Sequence, residues 1–270
     1  LQDLNRGLQI NDALQRHSTE LASLDAEFRQ WLLARAEAFA PGVIFEGELL
    51  SGVTDLTQFC REHPEHYPAG LALARRLAEQ SPMAAEKELR RLMQLFPQES
   101  GRDGARRLLA ALYRRQGREA EESEVLKDYL TFNADDADAA QRLVELSVQQ
   151  QDWMQALAAG RQVLAIDPAQ VTVLRQLAHA SEQVADSELA LHCLRALLEL
   201  DASQTPGIRL RVARLLQTDD PQEARRQLLL ALEQAPRFRE AHQLLLQFVD
   251  RRADADLPAD DTESPPLADE

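Results

Sequence analysis

One recurrence constrains this chain more than any other feature. Between Asp136 and Ala169 it reads DADAAQRLVELSVQQQDWMQALAAGRQVLAIDPA, two amphipathic stretches joined by a tight turn at Gln151-Asp152 and closed by Pro168. A step of 34 residues carries Ala156 to Ala190 and then to Ala224, Leu164 to Leu198 and Leu232, and Ile166 to Leu200. Pro168 returns as Pro236, with Ala202 between them. Each of these alanines opens the second helix of its unit. A pair of short amphipathic helices cannot cover its own apolar face, so units of this period stack and bury a continuous core. The expected fold class is all-α, a right-handed helix–turn–helix solenoid with a helical head and a disordered C-terminal tail.

The head spans residues 1–42. Leu1 to Arg6 reads as a helix end stopped by Gly7. Asn11 caps a short helix over Asp12 to His17, and Ser18 or Thr19 caps a longer one reaching Ala40. The apolar residues of that longer helix, Leu21, Leu24, Phe28, Trp31, Leu32 and Phe39, fall mostly three or four apart. Residues 43–64 are a connecting segment, irregular as far as Gly52, with Phe45 and Leu49-Leu50 available for packing. An entry helix follows, capped by Thr54 or Asp55 and closed by Pro64. Residues 65–237 hold five units. The first pairs 69–80 with 83–96 and the second pairs 103–116 with 119–132. Units three, four and five start at Asp136, Gln170 and Gln204. The linker at Ser100 to Gly104 is about three residues longer than the period requires. Glu122 stands where other units carry alanine, which implies a looser pack or a different helix angle there. Residues 238–251 form a capping helix whose Leu244, Leu245, Phe248 and Val249 cover the last unit. Residues 252–270, rich in Asp, Glu, Pro and Ala, have almost nothing to bury and read as disordered.

With Ala156, Ala190 and Ala224 at one register and Pro168 and Pro236 at another, the units resemble tetratricopeptide repeats. The resemblance implies that the first helix of every unit lines a concave face and that the chain binds a protein or a peptide there. A second resemblance covers only the head. Ile10-Asn11-Asp12-Ala13-Leu14, His17, Leu24-Asp25-Ala26-Glu27-Phe28-Arg29 and Trp31-Leu32 are similar to the end of a bacterial peptidase-MA-like, gluzincin-type domain that precedes such repeats. That family's His-Glu-x-x-His helix is absent from this chain, so no catalytic residue carries over. The resemblance implies that a catalytic domain lies upstream and that this chain is its accessory, substrate-presenting region.

Charge and composition narrow the remaining classes. A net charge of -15 argues against a nucleic-acid binder that relies on bulk positive potential. No apolar run approaches the roughly 18–20 residues that span a bilayer. The start lacks the pattern of a signal peptide, and the sequence leaves open whether the compartment is cytoplasm or cell envelope. Cys60 and Cys193 sit on apolar helical faces and read as small buried hydrophobes. Met83, Trp153 and Met154 fall at helix-packing spacing and read as core. Cys60, His63 and His66 bring ligand types together, but Pro64 interrupts the segment and no fourth ligand recurs, so no metal or other cofactor is expected. His179, His192 and His242 stand on separate helices with no acid or nucleophile beside them. No phosphate loop, nucleophile elbow or Cys-x-x-Cys motif is present, and no catalytic residue is assigned.

What is left is a surface. Under the repeat register one row of first-helix positions reads Arg107, Gln141, Arg175, Arg209, Gln243. The row four residues on reads Ala111, Glu145, His179, Ala213, Gln247, and Arg114 and Arg115 extend its basic end. Only Lys87 and Lys127 of the 30 basic residues are lysines. Arginine offers two parallel donors to a carboxylate. The candidate partner-binding residues are therefore Arg107, Arg114, Gln141, Glu145, Arg175, His179, Arg209 and Gln243, and the expected partner is a protein or peptide with an acidic segment.

Overall fold

The computed structural model describes residues 12, 21–45, 53–200 and 205–255. The helix end expected before Gly7, the rest of the short head helix after Asp12, Leu49-Leu50 and the tail beyond residue 255 lie outside them. The described residues form thirteen helices and no strand. The chain divides into two compact units, residues 1–133 and 134–270.

In the first unit, α1 (Leu21–Phe39) and α2 (Leu56–Glu62) precede two helical pairs, α3 (Tyr67–Gln80) with α4 (Pro82–Leu95) and α5 (Ala105–Gln116) with α6 (Glu119–Phe132). Asp55 caps α2, accepting from the N–H groups of Thr57 at 2.9 Å and Gln58 at 3.1 Å. The core gathers Leu89 and Leu92 of α4 with Leu109, Leu112 and Tyr113 of α5 around the alanines Ala74, Ala85 and Ala105. Gly70 on α3 meets α4 so closely that a Cβ there would come within 2.6 Å of Leu92. Residues 43–45 join this core. The Ile44 N–H donates to Glu65 and the Ile44 carbonyl accepts from Tyr67, each at 3.0 Å, and the Phe45 ring packs between Tyr67 and Phe96. Phe39 also touches Phe96, but Phe28, Trp31 and Leu32 of α1 stay exposed.

The second unit holds α7 (Ala137–Gln149) with α8 (Trp153–Ile166), α9 (Val171–Gln183) with α10 (Ser187–Leu200), α11 (Thr205–Leu216) with α12 (Pro221–Gln234), and then α13 (Arg239–Ala255). First helices begin at 137, 171 and 205 and second helices at 153, 187 and 221, so the 34-residue period is built into the backbone. Ala156, Ala190 and Ala224 are all fully buried, as are Leu143 and Leu177 across the pairs. Gly160 lets α8 approach α9, since a Cβ there would lie 2.6 Å from Leu177. Ala241 and Leu244 of α13 pack against α12, while Arg239, Glu240, Gln243 and Gln247 face outward. The helix runs to Ala255, past the point where the composition turns acidic.

Two devices recur at the turns, and α7–α8 and α9–α10 have both. Gly117, Gln151 and Ala185 stand 34 residues apart and all adopt positive φ, at 68°, 59° and 58°. The residue after each donates its N–H back into the last turn: Arg118 to Tyr113, Asp152 to Ser147, Asp186 to Ser181. This is the left-handed C-terminal cap of a helix. Asp152, Asp186 and Asp220 then cap the second helices, accepting from residues three further on at 3.0–3.1 Å. Each such cap contributes about 1 kcal/mol.

One reading needs correction. Met83 and Met154 are not core; they are 84% and 70% exposed. They precede the buried Ala85 and Ala156 by two residues, and a two-residue step turns roughly 200° around a helix. Trp153 is half-buried, its ring set edge-to-face against His179 with the centroids 5.3 Å apart. Glu122, at the alanine position of its pair, is itself buried.

An alanine in the left-handed region is strained where glycine is not, by about 1 kcal/mol. Ala185→Gly should therefore raise the urea midpoint. Gly117→Ala should lower it by a similar amount, since nothing crowds a Cβ there and only the backbone term changes. Equal midpoints for both variants would contradict the turn assignment.

Candidate functional site

The candidate residues do not share one environment. In the first unit, Arg107 is half-buried with its guanidinium 5.7 Å from the Tyr129 ring of α6, whereas Arg114 is exposed. In the second unit, Gln141 and Arg175 are half-buried, and Glu145 pairs with Arg142 at 3.3 Å. Arg209 reaches its own partner helix, donating to Gln227 Oε1 at 2.7 Å. His179 and Gln243 are exposed. Arg107 and Arg209 thus lean toward second helices, because a side chain long enough to cross the pair finds an aromatic face or an amide oxygen there.

A different set of first-helix residues makes a shaped hollow. In the first unit Ala74, Arg75, Ala78 and Glu79 of α3 face Leu108, Ala111, Leu112 and Arg115 of α5, with Leu89 of α4 behind them. The hollow encloses about 260 Å³. Its walls are open because three of its side chains are alanine. Its interior is apolar, and two guanidinium groups and one carboxylate stand at its rim. Arg75 also reaches the N-terminal end of α5, its Nη2 lying 3.2 Å from the Asp103 carbonyl oxygen.

The linker that precedes α5 has its own chemistry. Glu99 is 4% exposed, and its carboxylate accepts from the Gly101 N–H and from the Tyr67 hydroxyl. Tyr67 Oη accepts from the Ala105 N–H at 3.0 Å. Arg106 donates to the carbonyls of Pro97 and Glu99 and to Asp128 of α6, and lies under the Phe132 ring at 4.5 Å. Burial pushes the Glu99 carboxyl above the ordinary carboxylate range. The Gly101 N–H, Arg106 and the Tyr67 hydroxyl pull the other way without cancelling it. Burial likewise raises the Tyr67 hydroxyl. On the outer side of the unit, Glu86 joins Arg118, Tyr113 and Arg90 at 2.7–2.9 Å. The Arg118 hydrogen bond is the main reason its carboxyl sits low.

The cysteines and histidines do other work. His66 is buried and caps α3, its Nδ1 accepting from the Ala69 N–H at 3.1 Å. Phe59 packs against both His63 and His66. Cys60 and Cys193 are buried free thiols, raised by desolvation, Cys193 to about 11. Thiols raised in this way are poor nucleophiles at neutral pH. Among the described residues no group of three or more His, Cys, Asp or Glu is placed to hold a metal ion. No described helix is long and apolar enough to cross a membrane.

Neither a protein-family model nor a curated protein sequence matches the chain. Among solved structures, the Naa15/Naa10 complex bound to HypK-THB is similar at a TM-score of 0.59 and 16% identity, over 74% of this chain and 31% of that one. YrrB, described as a TPR protein with an unusual peptide-binding site, is similar over 70% of this chain and 96% of its own, at 14% identity and a TM-score of 0.48. PilF of Pseudomonas aeruginosa is similar at 18% identity and a TM-score of 0.41, over 70% and 86%. At such identities the likeness is one of fold, and the first of the three carries it: an all-α array of paired helices.

Glu99 is not legible from its residue type, because a lone glutamate in a polar linker looks solvated. The signal was the glycine pair, Gly101 and Gly104, that makes room for it. A carboxyl held above its ordinary value stabilises the fold fully below the unfolded range, and that contribution is lost as pH rises through the folded value. Glu99→Gln should remove this component, leaving the protein more stable than the parent at neutral pH and no more stable in acid. Urea midpoints of both proteins across pH 4–8 measure the difference. A constant gap would place the titrating group elsewhere.

Proposed function

We propose that this chain is a non-catalytic interaction scaffold that binds a peptide segment of another protein along its first helices. The observation that carries this reading is the hollow between α3 and α5, apolar inside with Arg75 and Arg115 at its rim. Such a site suits a segment that places an aliphatic side chain among Ala74, Ala78, Leu108 and Leu112 and a carboxylate beside an arginine. The aliphatic side chain supplies affinity, about 1.5–3 kcal/mol if fully buried. An exposed carboxylate pair adds less and is screened by salt. Each within its own unit, Arg114, Gln141, His179 and Gln243 would add contacts, with Arg107, Glu145, Arg175 and Arg209 changing partners to join them. The acidic character of the partner rests on these arginines.

A second reading has one observation behind it. Phe28, Trp31, Leu32 and Leu33 stay exposed on α1, an apolar face suited to covering by another domain. This supports an accessory role beside an upstream metallopeptidase. A His-Glu-x-x-His helix in the natural sequence ahead of Leu1 would establish it, and its absence would remove it.

The scaffold reading is tested with a labelled peptide of about ten residues, blocked at both ends, carrying one leucine followed by two glutamates. Fluorescence anisotropy on the full chain should give saturable binding. Filling the hollow with Ala111→Phe should weaken it about ten-fold or more, as loss of most of one buried aliphatic group requires. Arg115→Ala should weaken it only a few-fold, and less at high salt. Binding that survives Ala111→Phe unchanged would refute this site.

A further inference from the structure

The start of α5 points to a role for Glu99; like α4, α6 and α9, this helix has no cap from its own N-cap side chain. Helices α2, α3, α7, α8 and α12 each start at a residue whose side chain accepts from the first turn: Asp55, His66, Asp136, Asp152 and Asp220. Helix α5 starts at Gly104, which has no side chain to do so, although its backbone (φ −79°, ψ 177°) is that of an N-cap and its carbonyl already accepts from the Leu108 N–H. The space a side chain at 104 would fill is not vacant. A Cβ built on Gly104 collides with the Glu99 carboxylate, meeting both oxygens and the carbon between them. The carboxylate stands where a capping side chain would stand, and the Ala105 N–H is satisfied beside it by Tyr67, whose hydroxyl donates to that same carboxylate.

We propose that Glu99 is the N-terminal cap of α5, delivered from the linker, and that through Tyr67 it fixes α5 to α3 and so sets the groove between them. The extra linker residues are what make this possible. They let the chain double back so that residue 99 lies against the helix that begins at 105, with the Gly101 N–H donating to the carboxylate on the way. The groups around the carboxylate come from three helices: Tyr67 from α3, Arg106 from α5, and Asp128 of α6 through its pair with Arg106 at 2.6 Å. The acceptor role belongs to Oε1, which takes the Gly101 N–H, while Glu99 Oε2 has no hydrogen-bond partner. The groove walls Leu108, Ala111, Leu112 and Arg115 all ride on the helix that this cap holds. Control of the groove rests on the scaffold reading above; the cap does not.

The test is a double-mutant cycle in the full chain between Glu99→Ala and Gly104→Asp. Glu99→Ala should lower Tm by about 2–4 °C and speed amide exchange at residues 105–107 about five-fold, the effect of losing one cap. Gly104→Asp alone should also lower Tm, because its side chain meets Glu99. In the double variant the new aspartate caps α5 from within, and both Tm and exchange should return to near the parent values. A Gly104→Asp effect of the same sign with and without Glu99 would overturn the proposal. If Glu99→Ala fails to fold, Glu99→Gln, which keeps the accepting oxygen, must hold the exchange protection at 105–107; loss of protection there would equally overturn it. The leucine–glutamate peptide separates the two claims. Binding weakened by Glu99→Ala and restored in the double variant supports control of the groove. Binding equal in all variants leaves the cap and ends the control. No binding even to the parent rejects the scaffold reading while the stability cycle still decides the cap.

Discussion

Every helical pair in this protein depends on burying an apolar stripe that its own partner helix cannot cover. Helices of 12–14 residues are marginal by themselves. They persist here because, within each unit, a first helix lies against its own second helix and that second helix lies against the helix that follows it. Close approach is the condition for that burial, which is why the innermost positions are Ala85, Ala156, Ala190 and Ala224, and why Gly70 and Gly160 stand opposite Leu92 and Leu177. A methyl group added at either glycine has to displace a leucine.

The tight turns follow from the same condition. In α7–α8 and α9–α10 the first helix folds back on its second helix within three or four residues because one backbone position turns left-handed and the next helix is capped at once. Positions 117, 151 and 185 supply the turn, and Asp152, Asp186 and Asp220 supply caps. Both pairs of the first unit depart from this scheme: Ser81 joins α3 to α4 with neither device, and the second pair has one of the two. Gly117 makes its turn, yet Arg118 caps nothing, and α5 opens on a bare glycine. Glu99, Tyr67 and Arg106 stand at the site of that deficit, and their hydrogen bonds link the linker to three helices.

How much of this was legible in the sequence varies with the kind of interaction. The helical pairs and their 34-residue register were readable, because burial acts on many residues at a fixed spacing. The row of Arg107, Gln141, Arg175, Arg209 and Gln243 shows the limit of that method. Equivalent positions in sequence received unequal surroundings, since Arg209 found Gln227 and Arg107 found Tyr129 within reach. Met83 and Met154 misled for a related reason. Apolar spacing identifies a stripe, but not which of two residues separated by half a turn faces inward. Glu99 could not be found by periodicity at all, because it lies in the one linker that breaks the period.

The hollow between α3 and α5 is the proposed place of recognition. Amide chemical-shift mapping of the isotope-labelled full chain with the leucine–glutamate peptide tests this most directly. The shifts should concentrate at Ala74, Ala78, Leu108, Ala111, Leu112 and Arg115, with smaller changes at Glu99 and Ala105. Shifts confined to the second unit around Arg175 and Arg209, or to the outer surface around Met83, would contradict it.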